Sequence, residues 1–398
     1  MSPNCHFRIR RLKIFAALLT PLIAAVVSSV ASAADGQGRL VWFGTYTGGR
    51  SQSEGIYVSR FDDDTGRLST VRLAAPAKNP SFLALHSALP VLYAVSETAG
   101  SDGRPQGAVV SFRIDPSTGI LERQSEQPSG GSGPCHLSVD RSGRVLLAAN
   151  YGGGSVICLG LEADGRLRPV VPGGFLQHEG SSLNPKRQQG PHGHSIDASP
   201  DGRFAISCDL GIDKVLVHGL DTAAATLAPH SAASMAPAAG PRHFALHPNG
   251  RFGYVVNELD LTVTACGFDP AAGVLTPLQS LSTLPDGVSD REGFSTAEIA
   301  VHPNGQTVYA SNRGHDSIAS FAIDAPTGRL SFLGCEPIRG KTPRHFAIDP
   351  SGRHLLAAGQ HSDTVAVFAI DPNSGRMRFT GQSIDVPSPV CVLFHPSR

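Results

Sequence analysis

Short apolar runs, rich in β-branched and aromatic residues, alternate along most of this chain with clusters of Gly, Pro, Asn and Asp. Runs of this kind predict strands rather than helices. Between Pro241 and Leu281 four follow one another, over 243–247, 252–256, 262–268 and 274–281. Pro248-Asn249-Gly250 separates the first two as a tight turn, and Asp269-Pro-Ala-Ala-Gly273 separates the last two. The fourth run is the weakest and most polar.

This unit recurs. Pro241-Arg-His-Phe-Ala-Leu-His-Pro-Asn-Gly250 returns as Pro343-Arg-His-Phe-Ala-Ile-Asp-Pro-Ser-Gly352, and weaker copies begin at Pro80, Pro134, Gly193, Thr296 and Pro389. A period near fifty residues with strand-like content predicts a β-propeller. The last copy supplies a single strand, 390–394, and the N-terminal region supplies three, 40–45, 55–61 and 68–73. Joined, they make one four-stranded blade. The expected fold is therefore all-β: a seven-bladed propeller of four-stranded antiparallel blades. Its ring is closed by N- and C-terminal strands that share a blade, which pairs the sheet edges and locks the ring.

The first residues follow another pattern. Arg8, Arg10, Arg11 and Lys13 precede an apolar run over 14–30, and Ala31-Ser32-Ala33 resembles a signal-peptidase site. Residues 1–34 are expected to be a cleaved signal peptide, and 35–398 the propeller, periplasmic or secreted. A retained anchor is the alternative. No later stretch is long and apolar enough to span a membrane. Six cysteines lie beyond Cys5, without a CxxC, and are expected to be small buried hydrophobes. Their spacing names no disulfide pair. Lys+Arg and Asp+Glu are both 33, so no net charge recruits nucleic acid or anionic membrane. Nothing in the sequence fixes an oligomeric state.

A propeller gathers one loop set from every blade around its axis. Residues just before each first strand and just after each second strand share a face. The entries are Ser81-Phe82, Cys135-His136, His194-Ser195, Arg242-His243, Ala297-Glu298, Arg344-His345 and Val390-Cys391. The exits include Glu97, Asn150-Tyr151, Asp209, Asn257-Glu258, Asn312-Arg313 and Gln360-His361. Two long loops, 172–191 and 284–295, are expected to wall the pocket. The second, with Asp286, Asp290, Arg291 and Glu292, also fits a solvated acidic hairpin.

Guanidinium forks at Arg242, Arg313 and Arg344 suit carboxylate or phosphate, so the expected partner is an anionic, oxygen-rich small molecule. His192, His194 and His243 are candidate bases near neutral pH. Glu258 and Glu298 would orient a His, hold an Arg or act as bases themselves. A polar channel lining without chemistry is the alternative. His192-x-His194 lacks a third ligand fixed by spacing, so no metal is expected. No cofactor is expected either: Gly152-Gly153-Gly154 precedes no helix, and no GxSxG elbow is present.

The loop His178-Glu-Gly-Ser-Ser182…Asn184-Pro-Lys-Arg-Gln188…Gly190-Pro-His-Gly-His194-Ser resembles the lactonase family of seven-bladed propellers. So do Pro241-Arg-His-Phe-Ala, Asn257-Glu258 and Asn312-Arg-Gly-His-Asp316-Ser-Ile, and the likeness covers roughly residues 39–398. That family includes propeller-type 6-phosphogluconolactonases and fungal carboxymuconate cyclases. The resemblance implies hydrolysis of a sugar lactone's cyclic ester. His192, His194 or His243 would activate water, with Glu258 and Glu298 positioning. Arg242 and Arg313 would take the oxyanion, the new carboxylate or a substrate phosphate. Arg187, Asn257, Asn312, Arg344, His345 and His136 complete the expected substrate-binding set. Export conflicts with a cytosolic phosphorylated substrate. Two other readings therefore stand: a lactone-forming cyclase of the carboxymuconate type, and an exported propeller that binds a sugar acid or protein without turnover.

Overall fold

The computed structural model describes residues 38–99 and 107–396; the expected signal segment lies outside them. Seven antiparallel sheets of four strands form the ring. Blade 1 contains β1 (Arg39–Thr45), β2 (Gly55–Phe61), β3 (Arg72–Pro76) and β28 (Pro389–Phe394), in the order β28-β1-β2-β3. Blades 2 to 7 follow in chain order over 83–128, 134–177, 193–234, 241–282, 295–337 and 343–385. A 3-10 turn, Leu210–Ile212, is the one helical element among the described residues. The ring closes as the sequence predicts, with Trp42 opposite Leu393 and Phe43 opposite Val392.

The apolar face of each blade packs on its neighbour, so the core is a set of seven layers between blades. One layer joins Trp42, Ile56 and Val58 of blade 1 to Leu92, Val110 and Phe112 of blade 2. The repeated turns latch these layers. In the turn starting at Asp115, the carboxylate accepts the backbone N–H groups of Ser117 and Thr118 at 2.8 and 3.1 Å. Gly119 closes it at φ +75°, where a Cβ would meet Leu40 at 2.8 Å. The freed Gly119 carbonyl accepts Trp42 Nε1–H from the preceding blade at 2.9 Å. Tyr93, Tyr254 and Tyr309 donate in the same way to Gly165, Gly328 and Gly375 of the next blade. Each latch contributes about 1 kcal/mol.

Two local expectations differ. The outer strand of blade 1 lies at Arg72–Pro76 rather than 68–73, with Leu68 making only an isolated bridge to Phe61. The Ser69 hydroxyl accepts the Arg60 N–H at 2.9 Å, where a strand carbonyl would otherwise sit. The loop expected over 172–191 also contains a strand, Phe175–Gln177, which completes blade 3 by pairing with Ser155, Val156 and Ile157.

Candidate active site

A β-bulge recurs at the start of the inner strands. Pro134, Gly193, Pro241 and Pro343 pair normally, and the next paired residues are His136, Ser195, His243 and His345. The residues skipped are Cys135, His194, Arg242 and Arg344; in blade 6, Ala297 and Glu298 are skipped. An unpaired bulge residue re-aims its side chain. The repeat thus places two consecutive residues of one strand on the rim of the axis.

Glu258 is the hub. It is 4% exposed and receives three guanidiniums: Arg187 Nη2 at 2.7 Å, Arg242 Nε at 3.1 Å and Arg313 Nη2 at 2.9 Å. Burial alone would raise its pKa; Arg313, Arg242 and Arg187 outweigh that and hold it at about 2. Arg242 is 2% exposed, and its Nη1 also donates to Ala297 O at 2.6 Å. Burial, then the charges of Arg344 and Arg313, pull it down to about 10.

Below the hub lies a layer of imidazoles around Glu298. Arg242 Nη1 stands 3.1 Å from His243 Nε2. A guanidinium only donates, so Nε2 accepts and His243 Nδ1–H donates to Glu298 Oε2 at 3.0 Å. His345 is turned the other way. Its Nδ1 accepts the Val392 N–H at 3.2 Å, leaving Nε2–H toward Glu298 Oε2 at 3.3 Å. His136 Nδ1 accepts the Ile196 N–H at 3.3 Å, and its ring packs 4.2 Å from Phe82. Burial first, then neighbouring charges, hold His136, His194 and His243 well below the usual imidazole value, and His345 at about 4. Burial raises the Glu298 carboxyl against the pull of His345 and Arg242. Two residues past Ser195 on the same strand, Asp197 is pushed up to about 7 by burial and by Glu298.

The long loop carries His192 and Arg187, and two buried aspartates pin it. Asp209 accepts the His192 N–H at 2.7 Å and sits 2.6 Å from His178 Nδ1. Asp213 accepts from Gln188 at 2.7 Å and from the Ser182 hydroxyl at 2.5 Å. The His192 ring stacks on Tyr151 at 4.5 Å, and its Nδ1 lies 2.9 Å from the Tyr151 carbonyl. A carbonyl only accepts, so Nδ1 carries the proton and Nε2 of this half-buried ring keeps its lone pair. Tyr151 Oη in turn accepts from Arg187 Nη2 at 2.9 Å.

His136, His194, Arg187, Arg242, His243, Glu258, Glu298, Arg313 and His345 therefore converge, with Arg344 beside them and His192 joined to them through Tyr151, on which it stacks and which accepts from Arg187. Asn257 and Asn312 point elsewhere. Asn257 donates to the Thr262 and Thr264 hydroxyls and braces its own blade, while Asn312 donates to the Ser317 hydroxyl of its own blade and to Thr283 O just beyond the last strand of blade 5. The acidic residues of loop 284–295 are exposed. Among the described residues no three His, Cys, Asp or Glu side chains form a metal-holding group. Sequence reasoning missed Tyr46. It follows β1, the second strand of blade 1, and occupies the exit position read in the other six blades; the split of blade 1 between the termini hid it.

The family model described as "Lactonase, 7-bladed beta-propeller" matches residues 40–394. The chain is 35% identical over 353 residues to the 6-phosphogluconolactonase of Bacillus subtilis, covering 89% of this chain and 97% of that protein. The periplasmic gluconolactonase of Pseudomonas aeruginosa superposes with a TM-score of 0.82 at 34% identity, covering 89% of this chain and 98% of that one. A putative 6-phosphogluconolactonase of Bacteroides fragilis gives a TM-score of 0.81 at 30% identity, covering 93% and 100%. With these relatives and the family match across all seven blades, the chain belongs to the lactonase family of seven-bladed β-propellers.

Proposed function

We propose that this protein hydrolyses a sugar lactone at the axial rim, with His192 as general base. The observation that carries the assignment is the fixed tautomer of His192, whose Nε2 lone pair is the one left for water. In this arrangement both His243 nitrogens are occupied, by Arg242 and by Glu298. Burial holds His194 neutral, 4.0 Å from Glu258. Glu258 fixes the arginines. Being ionised and covered by three guanidiniums, it is a weak base itself.

Hydrolysis runs through addition and then ring opening. Water oxygen bonds to the lactone carbonyl carbon while His192 Nε2 takes one water proton. The carbonyl oxygen gains the charge and accepts from the guanidiniums of Arg187 and Arg313, which Glu258 has already oriented. The tetrahedral adduct then expels the ring oxygen, which receives the proton from His192. The product is an open hydroxy acid. Each step is carried by side chains of this chain.

Of the three named relatives, two are called 6-phosphogluconolactonases, one of them putative, and the third a periplasmic gluconolactonase, so the names differ in whether the lactone is phosphorylated. Export after cleavage near Ala34 favours the unphosphorylated class, and N-terminal sequencing of the exported protein tests that cleavage. Hydrolysis itself is tested by a pH-stat assay of mature protein on aldonolactones with and without a phosphate. Enzyme-dependent acid release supports the proposal; acid release at the spontaneous rate for every lactone contradicts it. Turnover of a carboxymuconate instead would favour the cyclase reading.

A further inference from the structure

Four guanidiniums reach the axial site, and three of them share Glu258. The fourth, Arg344, donates from its side chain to no acceptor among the described residues. Its backbone N–H bonds Thr342 O at 2.8 Å, and its guanidinium carbon lies 5.3 Å from the centre of the Tyr46 ring. The nearby carboxylate is already occupied: Tyr46 Oη lies 3.0 and 2.9 Å from the two Glu97 oxygens, and the Ser81 hydroxyl also donates to Glu97. The Arg344 charge depresses the pKa of Arg242, Arg313, His194 and His243, so it acts on the same group of side chains.

Arg344 is half-buried, and its guanidinium faces no acceptor among the described residues, so its donors are free to meet a ligand's oxygens. We infer that Arg344, backed by Tyr46, is the subsite for an anionic oxygen group, carboxylate or phosphate, carried on a substituent of the lactone away from the reacting carbonyl. The inference rests on the lactonase reading and extends it to specificity. The three arginines on Glu258 serve the ester, and Arg344 selects the charged substituent. A fork with every donor free matches two oxygens of either group, and the Tyr46 ring lies against it within cation–π distance.

The test compares wild type and Arg344→Gln on three lactones: neutral, carboxylate-bearing and phosphate-bearing. The variant should raise KM at least about tenfold for the anionic lactone that wild type prefers. Its loss of kcat/KM should be at least about tenfold larger on that anionic lactone than on the neutral one. Arg344→Lys should recover only part of the loss. Which anionic lactone shows the larger loss identifies the group. An equal loss on neutral and anionic lactones, or no loss on any, overturns the inference while leaving lactone hydrolysis standing. If wild type turns over no lactone, calorimetry with glucarate, 6-phosphogluconate and gluconate decides. A preference for one of the doubly acidic ligands over gluconate that disappears in Arg344→Gln supports the subsite, and its persistence refutes it. Unchanged melting of the variant shows that the fold is kept.

Discussion

At the residue scale, the site is a set of charges whose burial is compensated by pairing. Glu258 is held at about 2, below its unfolded value of 4.5. A depressed carboxyl stabilises the fold above its unfolded pKa, and that stability is lost as pH falls through the folded one. Denaturant titrations between pH 5 and pH 2 should therefore show a loss of stability that Glu258→Gln no longer shows. At pH 7 that variant should be less stable by about 3–5 kcal/mol, because three guanidiniums lose their shared counter-charge. Asp197 has the opposite sign. Its folded pKa, about 7, lies above its unfolded 3.8, so its contribution falls as pH rises from about 4 to 7. Asp197→Asn should raise the melting temperature at pH 8 and leave it nearly unchanged at pH 4. A calorimetric scan with equal shifts at both pH values would contradict the assignment. Residue types at the rim were legible in the sequence, because each first strand announces itself by a repeated anchor. Their partners were not. That Glu258 collects Arg187, Arg242 and Arg313 depends on side chains from three separate segments, and that Asn257 braces its own blade depends on Thr262 and Thr264.

At the element scale, two devices make the blades a scaffold for this site. One is the bulge that turns Cys135, His194, Arg242 and Arg344 toward the axis. Sequence spacing already put both residues of each adjacent pair at the rim, but a bulge is a backbone choice with no side-chain signature here, so the means of presenting both emerged only in the structure. The other is the inter-blade latch. Tyr309→Phe removes the donor to Gly375 O, 2.8 Å away, and leaves a buried carbonyl unpartnered. The expected cost is about 1–3 kcal/mol, read as a lower denaturant midpoint with kcat unchanged. A lowered kcat at unchanged stability would show that the latch is not merely structural. Turn chemistry was the most legible feature, since the Asp and Gly of each turn are dictated by its geometry. The shift of blade 1's outer strand was illegible because one hydroxyl, that of Ser69, decides it.

At the scale of the whole molecule, the ring depends on β28 lying beside β1. The unequal division of repeats between the termini made this closure legible before any coordinate was known. Removing 389–398 would strip β1 of the partner facing Val41 to Thr45 and turn this interior strand into an unpaired edge. The truncated protein should aggregate or lose cooperative unfolding, which light scattering and thermal melts will report; melting like the full chain would contradict the closure's role. A closed ring also explains how groups from blades far apart in sequence hold fixed distances around one axis, which hydrolysis through preorganised charges requires. The most direct test of that account is the kcat of a hydrolysed lactone for His192→Ala beside His243→Ala, both checked for unchanged melting. The account predicts a loss of about a hundred- to ten-thousandfold at His192 and a distinctly smaller one at His243; wild-type turnover in His192→Ala would contradict it.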